Sequence, residues 1–191
     1  DGLHQRDDGV ELAAGGTTRL FDRVIVAAGA WSAGFSRQIG DRVCLDTERG
    51  YHIGFGPGSE KLLNGPVVFP SREFVLSPMQ DGLRLVSGDE LAGLTAAPDY
   101  RRIEALLPQA LEVLPALADW SGGNRWMGHR PSTPDSLPVI SRSNRNRRVI
   151  YAFGHGHLGV TLSATTARLV ADLVADRLPA IDLHPYRASR F

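Results

Sequence analysis

Short runs of strand-forming residues separated by turn formers open the chain. GLHQR, residues 2–6, is followed by Asp7, Asp8 and Gly9, and then by VELAA, residues 10–14. An Asp-Gly pair between two such runs predicts a β-hairpin, and TTRLF (17–21) predicts a third strand. VIVAA, residues 24–28, is different: it is apolar without interruption between Arg23 and Gly29. A run with no alternation predicts a strand buried on both faces, as in a parallel sheet covered by helices.

Between about residues 43 and 88 the pattern shortens again. RGYHIGF, GPVVFPS, EFVLSPM and GLRLVSG are separated by Gly, Pro, Asp and Ser, which predicts an antiparallel sheet, with a tight hairpin at Asp81-Gly82. From 99 to 117 the period becomes helical: Ile103, Leu106, Leu107, Ala110, Leu111, Leu114 and Leu117 share one stripe. Pro108 interrupts it, and its ring would clash with the carbonyl of Glu104, so a kink or two short helices are expected. RVIYAFG predicts another strand. A last helix is expected from near Gly159 to just before Pro179, with Leu162, Leu169, Val170, Leu173, Val174 and Leu178 on one side. The fold class is therefore α/β, or α+β. Residues 1–40 and 126–191 form one domain from both ends of the chain, and residues 41–125 are inserted as a second.

Composition narrows the function. The chain has 191 residues, with 21 Lys plus Arg against 21 Asp plus Glu. That balance argues against a nucleic-acid binder, which needs a basic excess. The local basic run SRSNRNRR (141–148) reads as a solvated loop, with a phosphate patch as the alternative. A single cysteine, Cys44, permits no internal disulfide and reads as a small apolar strand residue between Val43 and Leu45. No run approaches the roughly 18 apolar residues that a membrane span requires. A cytoplasmic protein is expected, or one peripheral to the inner membrane.

Four stretches could carry chemistry. Gly29 ends the apolar run, where an open α/β sheet binds its ligands and a missing Cβ lets one approach the backbone; Trp31 could cover it. In GHRPSTPDSLPVIS, Arg130 precedes Pro131 and is biased toward an extended conformation. Held on a proline-stiffened loop, its guanidinium could grip a carboxylate through two parallel hydrogen bonds, or pair with Asp135 across the turn. In FGHGHLGVTLS (153–163), His155 and His157 could form half of a metal site, but no further ligand stands at a recognisable spacing. Gly154 and Gly156 permit a sharp turn into the last helix, whose unpaired N–H groups favour an electron-rich atom. Finally, strand alternation puts Arg49, Tyr51 and Ile53 on one face and Gly50, His52 and Gly54 on the other. Tyr51 and His52 should then not share a pocket unless Gly50 bulges the strand.

Taken in order, VIVAAGAWS, LDTERGYHI, GHRPSTPDSLPVI and FGHGHLGVTLSATTARLVADLVADRLPAID resemble the FAD-dependent D-amino acid oxidase superfamily, above all bacterial D-amino acid dehydrogenases and glycine oxidase-like flavoproteins. The resemblance implies a FAD-binding Rossmann-like domain with an inserted antiparallel-sheet substrate domain. It implies that Ala28, Gly29, Ala30 and Trp31 contact FAD, and that Gly156, His157, Leu158, Gly159, Val160 and Thr161 turn N–H groups toward the flavin. Arg130 would hold the substrate carboxylate, with Tyr51 as a second donor, and His157 and His52 would stand at the reacting centre. No metal is implied. The reaction would be hydride transfer from the α-carbon of a small amino acid or amine to the flavin, followed by hydrolysis of the imine; oxygen, a quinone or a carrier protein would take the electrons. A sarcosine or N-methyl amino acid oxidase is the alternative within the class.

One motif of that superfamily does not occur. No G-x-G-x-x-G follows a leading strand and opens a helix. The expectation is thus a C-terminal half that binds FAD weakly or not at all by itself. The nucleotide-gripping half would lie in the same parent protein or on a partner chain, the latter making this a non-catalytic subunit or remnant.

Overall fold

The computed structural model describes residues 2–120 and 123–191. In chain order its strands are β1 (Gly2–Gln5), β2 (Val10–Ala14), β3 (Thr17–Phe21), β4 (Val24–Val26), β5 (Asp46–Gly54), β6 (Val67–Phe69), β7 (Phe74–Met79), β8 (Gly82–Glu90), β9 (Asn124–Ser132), β10 (Val139–Arg142) and β11 (Val149–Phe153). The α-helices are α1 (Ser32–Ile39), α2 (Arg101–Glu104), α3 (Leu107–Val113) and α4 (Ser163–Val174). The fold is mixed α/β and divides into two compact units: residues 1–47 with 130–191, and residues 48–129.

The first unit holds two sheets. β1, β2 and β3 form the antiparallel meander that the Asp-Gly turn predicts, and a second sheet runs β10-β11-β4. β10 and β11 are antiparallel, whereas β11 and β4 are parallel, with Tyr151 opposite Val26. Val149, Tyr151 and Phe153 pack into one core with Leu3, Val10, Val26, Ile39 and Val139. Ile150 faces the other way, onto Leu169 and Val170 of α4. That period-two split is what a central strand imposes. β4 does not share it: Val26 is buried, but Ile25 is 46% exposed. Burial of 24–28 on both faces is thus corrected, because α4 packs on β10 and β11 and leaves Ile25 open.

Two features of this unit escape the hydrophobic pattern. α1 is short, and its end is written in Gly40, which takes φ +95° while its N–H donates to Arg37 O at 3.0 Å and that of Asp41 to Ser36 O at 2.9 Å. The end of α4 is capped from a distance. Arg23 and Arg142 donate to the carbonyls of Leu173 and Val174, and both pair with Asp176. Cations at a helix C-terminus satisfy its orphan carbonyls and its dipole. Arg142, at the start of the basic run, is therefore a cap rather than a solvated side chain. Cys44, read as a strand residue, is exposed and precedes β5.

The second unit is the antiparallel sheet β6-β7-β8-β5-β9. Its buried face combines Ile53, Phe55, Phe74, Leu76, Leu83 and Leu85 with Ile103, Ala110 and Leu117 from the helical segment. Full burial of a side chain of this size contributes about 1.5–3 kcal/mol. α2 stops at Glu104 and α3 carries Pro108 in its first turn, so two short helices replace one, as the proline requires. Met79 pairs with Gly82, so the β7–β8 turn is Gln80-Asp81, one residue earlier than the Asp-Gly pair suggests. Gly82 has φ +123°, and a Cβ there would lie 2.1 Å from the Gly56 carbonyl oxygen. It is needed for that close approach rather than for the turn itself.

Candidate functional site

In the first unit, two parallel neighbouring strands end side by side and each turns through glycine into a helix. β4 runs into a 3-10 turn at Gly29–Trp31 and then α1; β11 runs through Gly154 into a 3-10 turn at Gly156–Leu158 and then α4. Gly29, Gly154 and Gly156 take φ of +55°, +83° and +52°, the region that favours glycine. A Cβ on Gly29 would meet nothing within 4 Å, so the backbone there is open to approach. Ala30 is buried behind it. Trp31, Leu158 and Val160, in the turns that follow β4 and β11, are 55%, 55% and 90% exposed. Such turns beyond the carboxyl ends of parallel strands are where α/β sheets hold nucleotide cofactors.

The last helix begins later than its sequence suggests. α4 starts at Ser163, and Gly159–Thr161 form turns rather than the first helical residues. Val160 stands in solvent and anchors nothing, so a further helical turn would gain no packing. The consequence favours a ligand. The N–H groups of Val160 and Thr161 make no backbone hydrogen bond among the described residues, whereas Leu158 and Leu162 donate to His155 O and Leu158 O at 2.9 Å each.

His155 and His157 have different surroundings. Nε2 of His155 lies 2.9 Å from Thr166 Oγ1 on α4, and the ring is half-buried. His157 is exposed at the tip of the turn. Burial holds the His155 pKa below the ordinary 6.5. The unfolded chain therefore binds the extra proton first, and stability from a neutral His155 is complete above about pH 6.5 and is lost as pH falls through the lower folded value. His155→Gln should flatten the pH dependence of stability below about pH 6.5. Equal slopes for the two proteins in chemical denaturation would show that His155 does not titrate there.

Arg130 lies on β9 rather than in a loop, half-buried and extended ahead of Pro131. Asp135, offered above as its partner, receives Arg190 instead, with Nε to Oδ2 at 2.7 Å and Nη2 to Oδ1 at 3.0 Å. Those bonds hold the Asp135 carboxyl down to a pKa of about 2. Arg190 was missed because nothing in its local sequence marks it.

Tyr51 and His52 belong to the second unit and occupy separate cavities. β5 and β8 do pair irregularly, but the extra residue is Gly88 on β8, at φ +75°, rather than Gly50. Tyr51 is buried at 6% exposure, edge-on to Tyr100 with ring centroids 5.6 Å apart. Its hydroxyl donates to Glu90 and accepts from Asp99 N–H at 3.3 Å. Burial first, then the bond to Glu90, raises its pKa. The cavity it lines, about 260 Å³, also carries Asp89, Glu90, Asp99 and Arg102. In this structure the Tyr51 proton goes to Glu90, and the hydroxyl stands among both carboxylates and the guanidinium of Arg102. His52 stacks on Trp126 at 5.0 Å and borders a cavity of about 300 Å³ with Asp81, Arg84 and Asn124. Burial, then the nearby Arg84 charge, lowers its pKa.

The fold places the chain among α/β proteins whose strands end in glycine turns, and comparison with known proteins gives the family. The FAD dependent oxidoreductase family, DAO, matches residues 1–173, and the chain belongs to it. It is 40% identical over 176 residues to a D-amino-acid oxidase of Bradyrhizobium diazoefficiens, covering 89% of this chain and 41% of that protein. It is 35% identical over 181 residues to D-amino acid dehydrogenase 2 of Ralstonia nicotianae, covering 88% and 42%. The glycine oxidase structure from Geobacillus kaustophilus superimposes with a TM-score of 0.84 at 26% identity, covering all of this chain and 51% of that one. The chain thus spans about half the length, or less, of these relatives. No helix among the described residues is long and apolar enough to cross a membrane.

Proposed function

We propose that the chain forms one wall of the flavin site of a FAD-dependent oxidoreductase that oxidises a small amino acid, a D-amino acid or a glycine-like amine. The observation that carries this is the pair of parallel strands β4 and β11, each leaving the sheet through positive-φ glycines, with Gly29 open on its Cβ side. That cradle suits a group as large as FAD. The backbone of residues 28–31 would face it from one strand, and the N–H groups of Val160 and Thr161 from the other. When bound, FAD supplies the electron sink that accepts hydride from the substrate α-carbon. Arg130 would bind and orient the substrate carboxylate, and His157 would line the pocket at the turn. By itself the chain would hold FAD weakly, since the phosphate-gripping glycine motif is not among its residues.

The test is anaerobic. The full-length protein, loaded with FAD, is mixed with a panel of D-amino acids, glycine and sarcosine, and flavin absorbance is followed. Bleaching by D-amino acids or glycine supports the reading. Bleaching by sarcosine alone moves the substrate to secondary amines. No bleaching by any member, with flavin bound, overturns the assignment of a small amino-acid substrate.

A further inference from the structure

The residues after Arg130 are held in place by Arg190. Its guanidinium meets Asp135 through two parallel bonds, donates from Nη2 to Leu137 O, and donates from Nη1 to Arg187 O at 3.1 Å. Its side chain is 9% exposed, and it lies 4.6 Å from the Phe191 ring centre. The carboxylate side of the pair is solvent-facing, but two parallel bonds to a shielded guanidinium make it stronger than an ordinary single-contact surface ion pair. Inside the turn, Leu137 N–H donates to Asp135 at 3.1 Å and the Thr133 hydroxyl donates to Leu137 O at 2.7 Å. Little freedom is left between residues 133 and 137.

That turn touches the cofactor-facing glycines. A Cβ on Gly154 would lie 3.0 Å from Thr133 Cγ2, and one on Gly156 would lie 3.7 Å from Ser132 Oγ. Ser132 is also the last residue of β9, two positions beyond Arg130. A displacement of the turn must therefore move the end of β9, the Gly154–Gly156 segment, or both, because close-packed groups transmit shifts rather than absorb them.

We propose that Arg190 is a positioning residue for the active site. Acting through Asp135, it fixes the 132–138 turn and thereby sets both the direction of Arg130 and the placement of the glycine turn after β11. The substrate half of this inference rests on the reading of Arg130 given above; the flavin half does not.

The experiment uses the FAD-loaded full-length protein. Arg190→Ala and Asp135→Asn should each raise the amino-acid KM about fivefold, with kcat changed less than about twofold. Each should also shift the visible absorbance maximum of the substrate-free flavin. The double variant should do no more than either single one, because both remove the same clamp. Arg190→Lys keeps the charge but not the two parallel bonds; it should recover part of the thermal stability and leave KM raised. It also serves if the alanine variant does not fold. Variants that lose melting temperature while KM and flavin spectrum stay at wild-type values would overturn the proposal. Arg130→Ala separates the two readings: if it leaves KM unchanged, the carboxylate assignment fails, and the spectrum of substrate-free Arg190→Lys still decides the clamp.

Discussion

Arg130→Ala in the FAD-loaded full-length protein is expected to raise the substrate KM about a hundredfold. On the proposed reading the guanidinium would supply two charge-assisted bonds to the substrate carboxylate, each worth about 1.5 kcal/mol or more, and about 1.4 kcal/mol corresponds to tenfold. The position suits that role. Arg130 is half-buried on β9, and Pro131 holds its backbone extended. Loss of binding shared by ground and transition state appears in KM more than in kcat. Arg130→Lys should recover only part of the loss, since an ammonium cannot reproduce the planar fork. A steady-state KM within about twofold of wild type for Arg130→Ala would place the residue outside the substrate site.

The largest effect on stability is expected at Arg49. Its side chain is fully buried, yet it is a cation. It donates to the carbonyls of Gly93, Ala96, Ala92 and Ala97 at 2.8, 2.9, 3.2 and 3.4 Å, and pairs with Glu90 at 3.3 Å. One guanidinium thus organises the whole segment after β8. Arg49→Ala leaves four carbonyls without their donor and Glu90 without its cation, and should cost about 3–5 kcal/mol. Arg49→Met keeps most of the apolar stem and should restore less than half of that, because packing is the smaller part. The measurement is chemical denaturation followed by Trp120 and Trp126 fluorescence, both in this unit. A loss below about 1 kcal/mol for the alanine variant would show that water satisfies the segment instead. Arg49 also holds the Tyr51 pKa down against burial and Glu90, so the same substitution should raise that pKa further while Glu90 stays in place.

These two arginines show how far local pattern reaches. Alternation along β5 correctly put Arg49, Tyr51 and Ile53 on one face, because side-chain direction in a strand depends only on the parity of position. It could not say that the face is buried, that Arg49 closes a segment more than forty positions later, or that Tyr51 would give its proton to Glu90. Pro108 announced the break between α2 and α3 because its effect is confined to the preceding turn. The glycines at 29, 154 and 156 announced their turns because φ is a property of one residue. α1 was missed for the opposite reason: eight residues are too short for a periodic signal to stand out, and only Gly40 marks its end.

By itself, the sequence determined most of the strands and the helices broken at Pro108, the glycine turns after β4 and β11, and the family. All of these depend on neighbours a few positions apart or on motifs of fixed spacing. Tertiary structure decided the partners. It turned Ile25 outward, gave Asp135 to Arg190, tied His155 to Thr166, sent Tyr51 and His52 into separate cavities, and began α4 at Ser163. Most of these outcomes depend on which donor meets which acceptor, or which apolar face finds cover, at separations from 11 residues for His155 and Thr166 to 55 for Asp135 and Arg190 and beyond. No local propensity encodes such a meeting, because its free energy exists only once the elements have packed.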